Sequence, residues 1–71
     1  MLETSTSEYA AIPSLLAKRE VMSALRVSLS GVNRMIARGD VVARKIGGRT
    51  LIEADSVRRL IERAPIVNYR A

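Results

Sequence analysis

The chain of 71 residues has no cysteine and no histidine. The first absence excludes a disulfide scaffold and a zinc finger, and the second removes the side chain most used for metal binding and proton transfer. Nothing covalent staples the chain, so packing of a single small core has to hold it. No apolar run approaches the roughly 20 residues that a bilayer span requires. The opening stretch MLETSTSEY carries acids where a signal peptide would carry a basic head. No internal repeat or low-complexity segment is present. The seven carboxylates include no pair whose spacing suggests a shared catalytic site; Glu53 and Asp55 read as the entry to a helix. The expectation is a cytoplasmic protein that is not an enzyme, with no cofactor, no metal, no membrane association and no small-molecule substrate.

What the chain does have is positive charge, unevenly placed. Twelve Lys and Arg face seven Asp and Glu, a formal net charge of +5. Residues 1–16 hold Glu3 and Glu8 without a cation, whereas residues 17–63 hold eleven of the twelve cations against five acids. A basic body behind an acidic, Ser/Thr-rich leader points to a polyanionic partner, of which nucleic acid is the commonest.

Residues 1–14 lack any hydrophobic period and read as a flexible tail. Pro13 biases Ile12 towards an extended conformation, and Leu15-Leu16 reads as a short strand or an apolar lead-in. From Lys18, Val21 and Leu25 fall on one face with Met22 beside them, which makes KREVMSAL a short amphipathic helix. Ala17 is a poor cap for it. Arg26-Val27-Ser28 interrupts the pattern. Ser28 is placed to cap a second helix from Leu29 to Arg38, with Val32 and Ile36 inward and Gly39 as its left-handed stop.

The period changes at Val41. The stretches VVARKI and TLI are β-branched and apolar, suited to two strands. Between them Gly47-Gly48 can both adopt positive φ, as a tight type I′ turn requires. A two-residue turn pairs Ile46 with Arg49 and Lys45 with Thr50. RKIGGRT is therefore the tip of a hairpin. A phosphate-binding loop would need a longer glycine frame ending in Lys-Ser or Lys-Thr before a helix. Asp55 or Ser56 then caps a last helix with Val57, Leu60 and Ile61 inward and Arg58, Arg59 and Arg63 outward. Pro65 ends it and leaves residues 65–71 as a second tail.

Two short helices joined by a tight turn, the second opening on polar residues, suggest a helix-turn-helix. Ser28, Ser30, Asn33 and Arg34 lie off the Val32/Ile36 face, free to reach base edges or phosphates. Between Val21 and Gly39 there are three arginines and no acid. Asn can pair bidentately with adenine and Arg with guanine in the major groove. The hairpin directly behind provides a second projection, from which Lys45 and Arg49 can enter or flank the minor groove.

On those segments the stretch LLAKREVMSALRVSLSGVNRMIARGDVVARKIGGRTLIEADSVRRLIER resembles the winged helix-turn-helix domains of phage excisionases and of the small regulators related to them. That group is also similar to the DNA-binding domain of mercury-resistance-type (MerR-like) regulators. KREVMSAL, VSLSGVNRMI and KIGGRTLIEADSV carry the resemblance, which covers residues 15–63. It implies a small α+β, mainly α, winged helix-turn-helix over residues 15–64: two short helices, a two-stranded β-hairpin wing and a C-terminal helix. By position it implies DNA contacts from the recognition helix through Ser28, Ser30, Asn33, Arg34 and Arg38. It places the wing at Lys45, Gly47, Gly48 and Arg49, and backbone contacts at Lys18, Arg19 and Arg26. Three residues depart from the family's pattern. Arg26 stands for the usual turn glycine, Leu29 for a basic residue, and Gly31 for a threonine. Arg26 either changes the turn or itself meets phosphate. Gly31 either loosens the helix by roughly 0.5–1 kcal/mol or lets backbone approach DNA closely.

The function implied is that of an excisionase, a recombination directionality factor that binds and bends double-stranded attachment-site DNA to assist a tyrosine-type integrase. Cooperative self-association of copies along the DNA goes with it. The rival readings are a small phage or plasmid transcriptional regulator with the same domain, and an antitoxin-like protein-interaction module using the apolar tail IVNY. A long dimerisation helix and effector domain, as in mercury-type regulators, have no room in this chain.

Overall fold

A computed structural model describes residues 14–68. The leader of residues 1–13, with the Ile12-Pro13 step, lies outside the described residues, as do residues 69–71 of the second tail. Six elements follow in order: β1 (Leu15–Ala17), α1 (Lys18–Leu25), α2 (Leu29–Arg38), β2 (Ala43–Ile46), β3 (Arg49–Glu53) and α3 (Ala54–Arg63). The strands form one antiparallel sheet in the order β1-β3-β2.

The core is built from small contributions of every layer. Val21 of α1, Val32 of α2, Val41 of the loop, Ile52 of β3 and Val57 of α3 are buried together. Leu16, Met22, Leu25, Val27, Met35, Ile36, Ala43 and Leu60 pack around them. The inward faces expected for α1 and α2 are the observed ones. Leu15-Leu16 is a strand, pairing Leu16 with Ile52, so the hairpin gains a third strand that seats it against the helices. An isolated two-stranded hairpin is marginal in water, and this pairing supplies what it lacks.

Three local expectations need correction. Strand β2 begins at Ala43: the chain bends at Asp40 and the buried Val41, and the Val42 N–H is taken by the Ser56 hydroxyl, although the Val42 carbonyl still accepts from Glu53 N–H at 2.9 Å. Neither Asp55 nor Ser56 caps α3; Glu53 occupies the N-cap without a side-chain bond. Ser56 is instead buried, its hydroxyl donating to the Glu53 carbonyl at 2.7 Å and accepting from Val42 N–H at 3.0 Å. Finally, Ile61 is 56% exposed, because α3 meets the core mainly through its first turns. At the weak cap Ala17 one half of a capping box forms: the Glu20 carboxylate accepts from the Ala17 N–H at 2.7 Å, while alanine has no side-chain acceptor for the return bond.

Candidate nucleic-acid interface

Helix α2 is set by its ends. The Ser28 hydroxyl accepts from Gly31 N–H at 3.1 Å, and Gly39 at φ 81° closes the last turn, with Asp40 N–H donating to Met35 O at 2.8 Å. Between these caps Val32, Met35 and Ile36 face the core, so the opposite face presents Leu29, Ser30, Asn33, Arg34, Ala37 and Arg38 to solvent. Ser30, Asn33 and Arg34 are thus brought onto one exposed helical surface, as their spacing requires. Arg38 shares it but is occupied: its guanidinium makes two hydrogen bonds to Asp40, at 2.7 and 3.1 Å.

The turn between the helices keeps the geometry a glycine would give. Arg26 sits in the left-handed region at φ 56°, ψ 49°, and the backbone N–H groups of Arg26 and Val27 both reach the Met22 carbonyl. The turn thus has the left-handed geometry that glycine favours. Gly31 lies against it: a Cβ there would stand 3.3 Å from the Val27 Cβ and 3.6 Å from the Ser28 hydroxyl. The space beside Gly31 belongs to the interhelical turn.

The wing has the expected register. Ile46 pairs with Arg49 and Lys45 with Thr50 around Gly47 and Gly48, at φ 59° and 80°. Alternation along a strand separates the two wing cations. Arg49 shares the outer face with Ile46 and Arg44, while Lys45 shares the inner face with Ala43, Thr50 and Ile52. The pair flanks the tip from opposite sides. Arg44 was missed by sequence reasoning, and its role is internal. It holds Glu53 at 2.7 Å across the outer face of the hairpin.

The cations fall into two groups. On α3, Arg58 bonds Asp55 and Glu62 at 2.7 and 2.6 Å, and Arg59 bonds the other oxygen of Asp55. The Arg58 hydrogen bond holds the Asp55 carboxyl below its ordinary range, against the opposing effect of desolvation, and the charges of Arg58 and Arg59 add to the lowering. Lys18, Arg19, Arg26, Arg34, Lys45, Arg49 and Arg63 form no ion pair with another described residue. Six of those seven stand on the start of α1, the turn, α2 and the wing.

A helix, a tight turn, a capped second helix with an open polar face, and a sheet-anchored hairpin define a small winged helix-turn-helix, a class of DNA-binding domain. The helix-turn-helix domain family matches residues 15–65, and the chain belongs to it. Neither the curated proteins nor the solved structures include a match to this chain. Among the described residues no helix is long and apolar enough to cross a membrane.

Proposed function

We propose that this protein is an excisionase: it binds and bends attachment-site DNA and assists a tyrosine-type integrase in excision. One observation carries the contact surface. Six of the seven described cations without an ion pair stand on the elements that a winged helix-turn-helix offers to DNA, whereas Arg58 and Arg59 of α3 are neutralised by its own acids and only Arg63, at the end of that helix, is left over. Lys18 and Arg19 strengthen the reading, since cations in a first helical turn oppose the helix dipole and need another reason to be there. In this reading residues 15–64 form the binding unit. Helix α2 enters the major groove with Ser30, Asn33 and Arg34 towards base edges. Arg49 and Lys45 straddle the neighbouring minor groove, and Lys18 and Arg19 fix the register on phosphates. The role in recombination rests on the resemblance of residues 15–63 to excisionases, and with it the cooperative loading of copies along repeated sites.

Two measurements test it. About 4–6 phosphate contacts give a log–log dependence of affinity on salt with a slope near −4 to −5. Anisotropy titrations on a mixed-sequence duplex should show it, and a slope near zero removes the DNA surface. Where an integrase gene adjoins its own, excision by that integrase should require this protein, and the attachment-region DNA should migrate as a bent fragment when it is bound. If excision proceeds equally without the protein while a neighbouring promoter is repressed, the chain is a transcriptional regulator.

A further inference from the structure

Arg26 is the only non-glycine residue with positive φ among the described residues. Its position repeats that of Gly39. In each case a left-handed residue closes a helix, and the next N–H donates five residues back, Val27 to Met22 at 3.0 Å and Asp40 to Met35 at 2.8 Å. At Gly39 the conformation costs nothing sterically. At Arg26 the Cβ crowds the following carbonyl, a strain that Asn or Asp can relieve locally and arginine cannot. The side chain makes no hydrogen bond or ion pair with a described residue that would offset it, and the residue is exposed. Strain kept at an exposed cation, two residues before the cap of the helix with the open polar face, calls for an external ligand.

We infer that Arg26 is a phosphate-binding residue of the DNA interface, retained in a left-handed position at the expense of fold stability. The inference rests on the DNA-binding reading above and sharpens it. A contact to phosphate is independent of sequence, so the target site need not be known. Stability and affinity are placed in opposition at one residue, which a merely structural turn residue would not show.

The test compares full-length wild type with Arg26→Gly, Arg26→Asn and Arg63→Ala on a fluorescein-labelled mixed-sequence duplex, with a melting curve for each. Arg63 is a control: it is exposed, it has no ion pair with another described residue, and it sits at the far end of α3. Its removal deletes the same unit of charge. Arg26→Gly should melt a few degrees above wild type, because glycine adopts the conformation freely. The same variant should bind about five- to tenfold more weakly at low salt, with a salt slope shallower by about 0.9. Arg26→Asn should match its loss of binding, and Arg63→Ala should lose distinctly less. Wild-type affinity and slope in both Arg26 variants overturn the contact, as does an equal loss in Arg63→Ala, which would mean a general effect of net charge. A lower melting temperature for Arg26→Gly overturns the strain. If wild type itself shows no salt-dependent binding, the DNA-binding reading fails and this inference with it; wild-type binding with unaffected variants removes the Arg26 contact alone.

Discussion

Arg34 and Arg38 stand one turn apart on the same helix, and their surroundings assign them different weights. Arg34 has no ion pair with another described residue, whereas Arg38 must first give up two hydrogen bonds to Asp40. Arg34→Ala is expected to weaken specific binding by about 1–3 kcal/mol and to relax preference at one base position. Arg38→Ala should cost under about 1 kcal/mol, because only a rim charge already satisfied is removed. Binding-site selection followed by titration on selected and mixed duplexes measures both. Equal loss for Arg34→Ala on the two duplexes would restrict that residue to phosphate, and a larger loss for Arg38→Ala would move base contact to the end of α2.

At the scale of elements, the wing depends on its turn and the last helix on its charges. Gly48 at φ 80° has open space around it, so the obstacle to substitution there is backbone conformation alone. Gly48→Val should distort the tip and lower DNA affinity more than Arg49→Ala, which leaves the turn and the Ile46–Arg49 register in place. Circular dichroism melts should show Arg49→Ala near wild type. If it also binds at wild-type strength, the wing is structural. Helix α3 carries a pH signature. The Asp55 carboxyl titrates lower in the folded chain than in the unfolded one, chiefly through its hydrogen bond to Arg58. Its stabilising effect is therefore complete above about pH 5 and lost as pH falls through the lowered folded-state value. Melts across the acid range should show Asp55→Asn less stable than wild type at neutral pH and less steep in its acid decline. Parallel declines would mean that the ion pairs of this helix add nothing.

On the scale of the whole molecule, five buried residues from four elements and a loop hold everything together. Ile52 is fully buried, and it is the point where β1, β2, β3 and the helices meet: it pairs with Leu16 on one side and Ala43 on the other. Truncating a buried isoleucine to alanine costs about 2–5 kcal/mol. A single core in a domain this small supplies about 3–5 kcal/mol in total. Ile52→Ala is thus expected to leave the chain largely unfolded at room temperature, checked by far-ultraviolet circular dichroism and a urea titration. A cooperative transition near the wild-type midpoint would show that the core is broader than these residues.

Much of this was determined by the sequence itself, because local chemistry at those positions has few solutions. Ser28 as a cap, Gly39 as a stop, and the Gly47-Gly48 turn with its register each follow from one or two residues. The inward faces of α1 and α2 follow from period alone, and with them the open surface that bears Ser30, Asn33 and Arg34. Other features belong only to the tertiary structure, since they join residues far apart in the chain. Leu15–Ala17 becomes a strand because β3 offers an edge to pair with, and no local signal separates a three-residue strand from an apolar lead-in. Ser56, a plausible helix cap by position, was drawn inward to Val42 fourteen residues away. Ile61 was left outside because α3 leans on the core by its first turns. The sorting of arginines into paired and unpaired also needed the fold. Arg44 meets Glu53 only when the hairpin closes, and Arg26 takes a conformation that its own side chain disfavours because the two helices on either side require it.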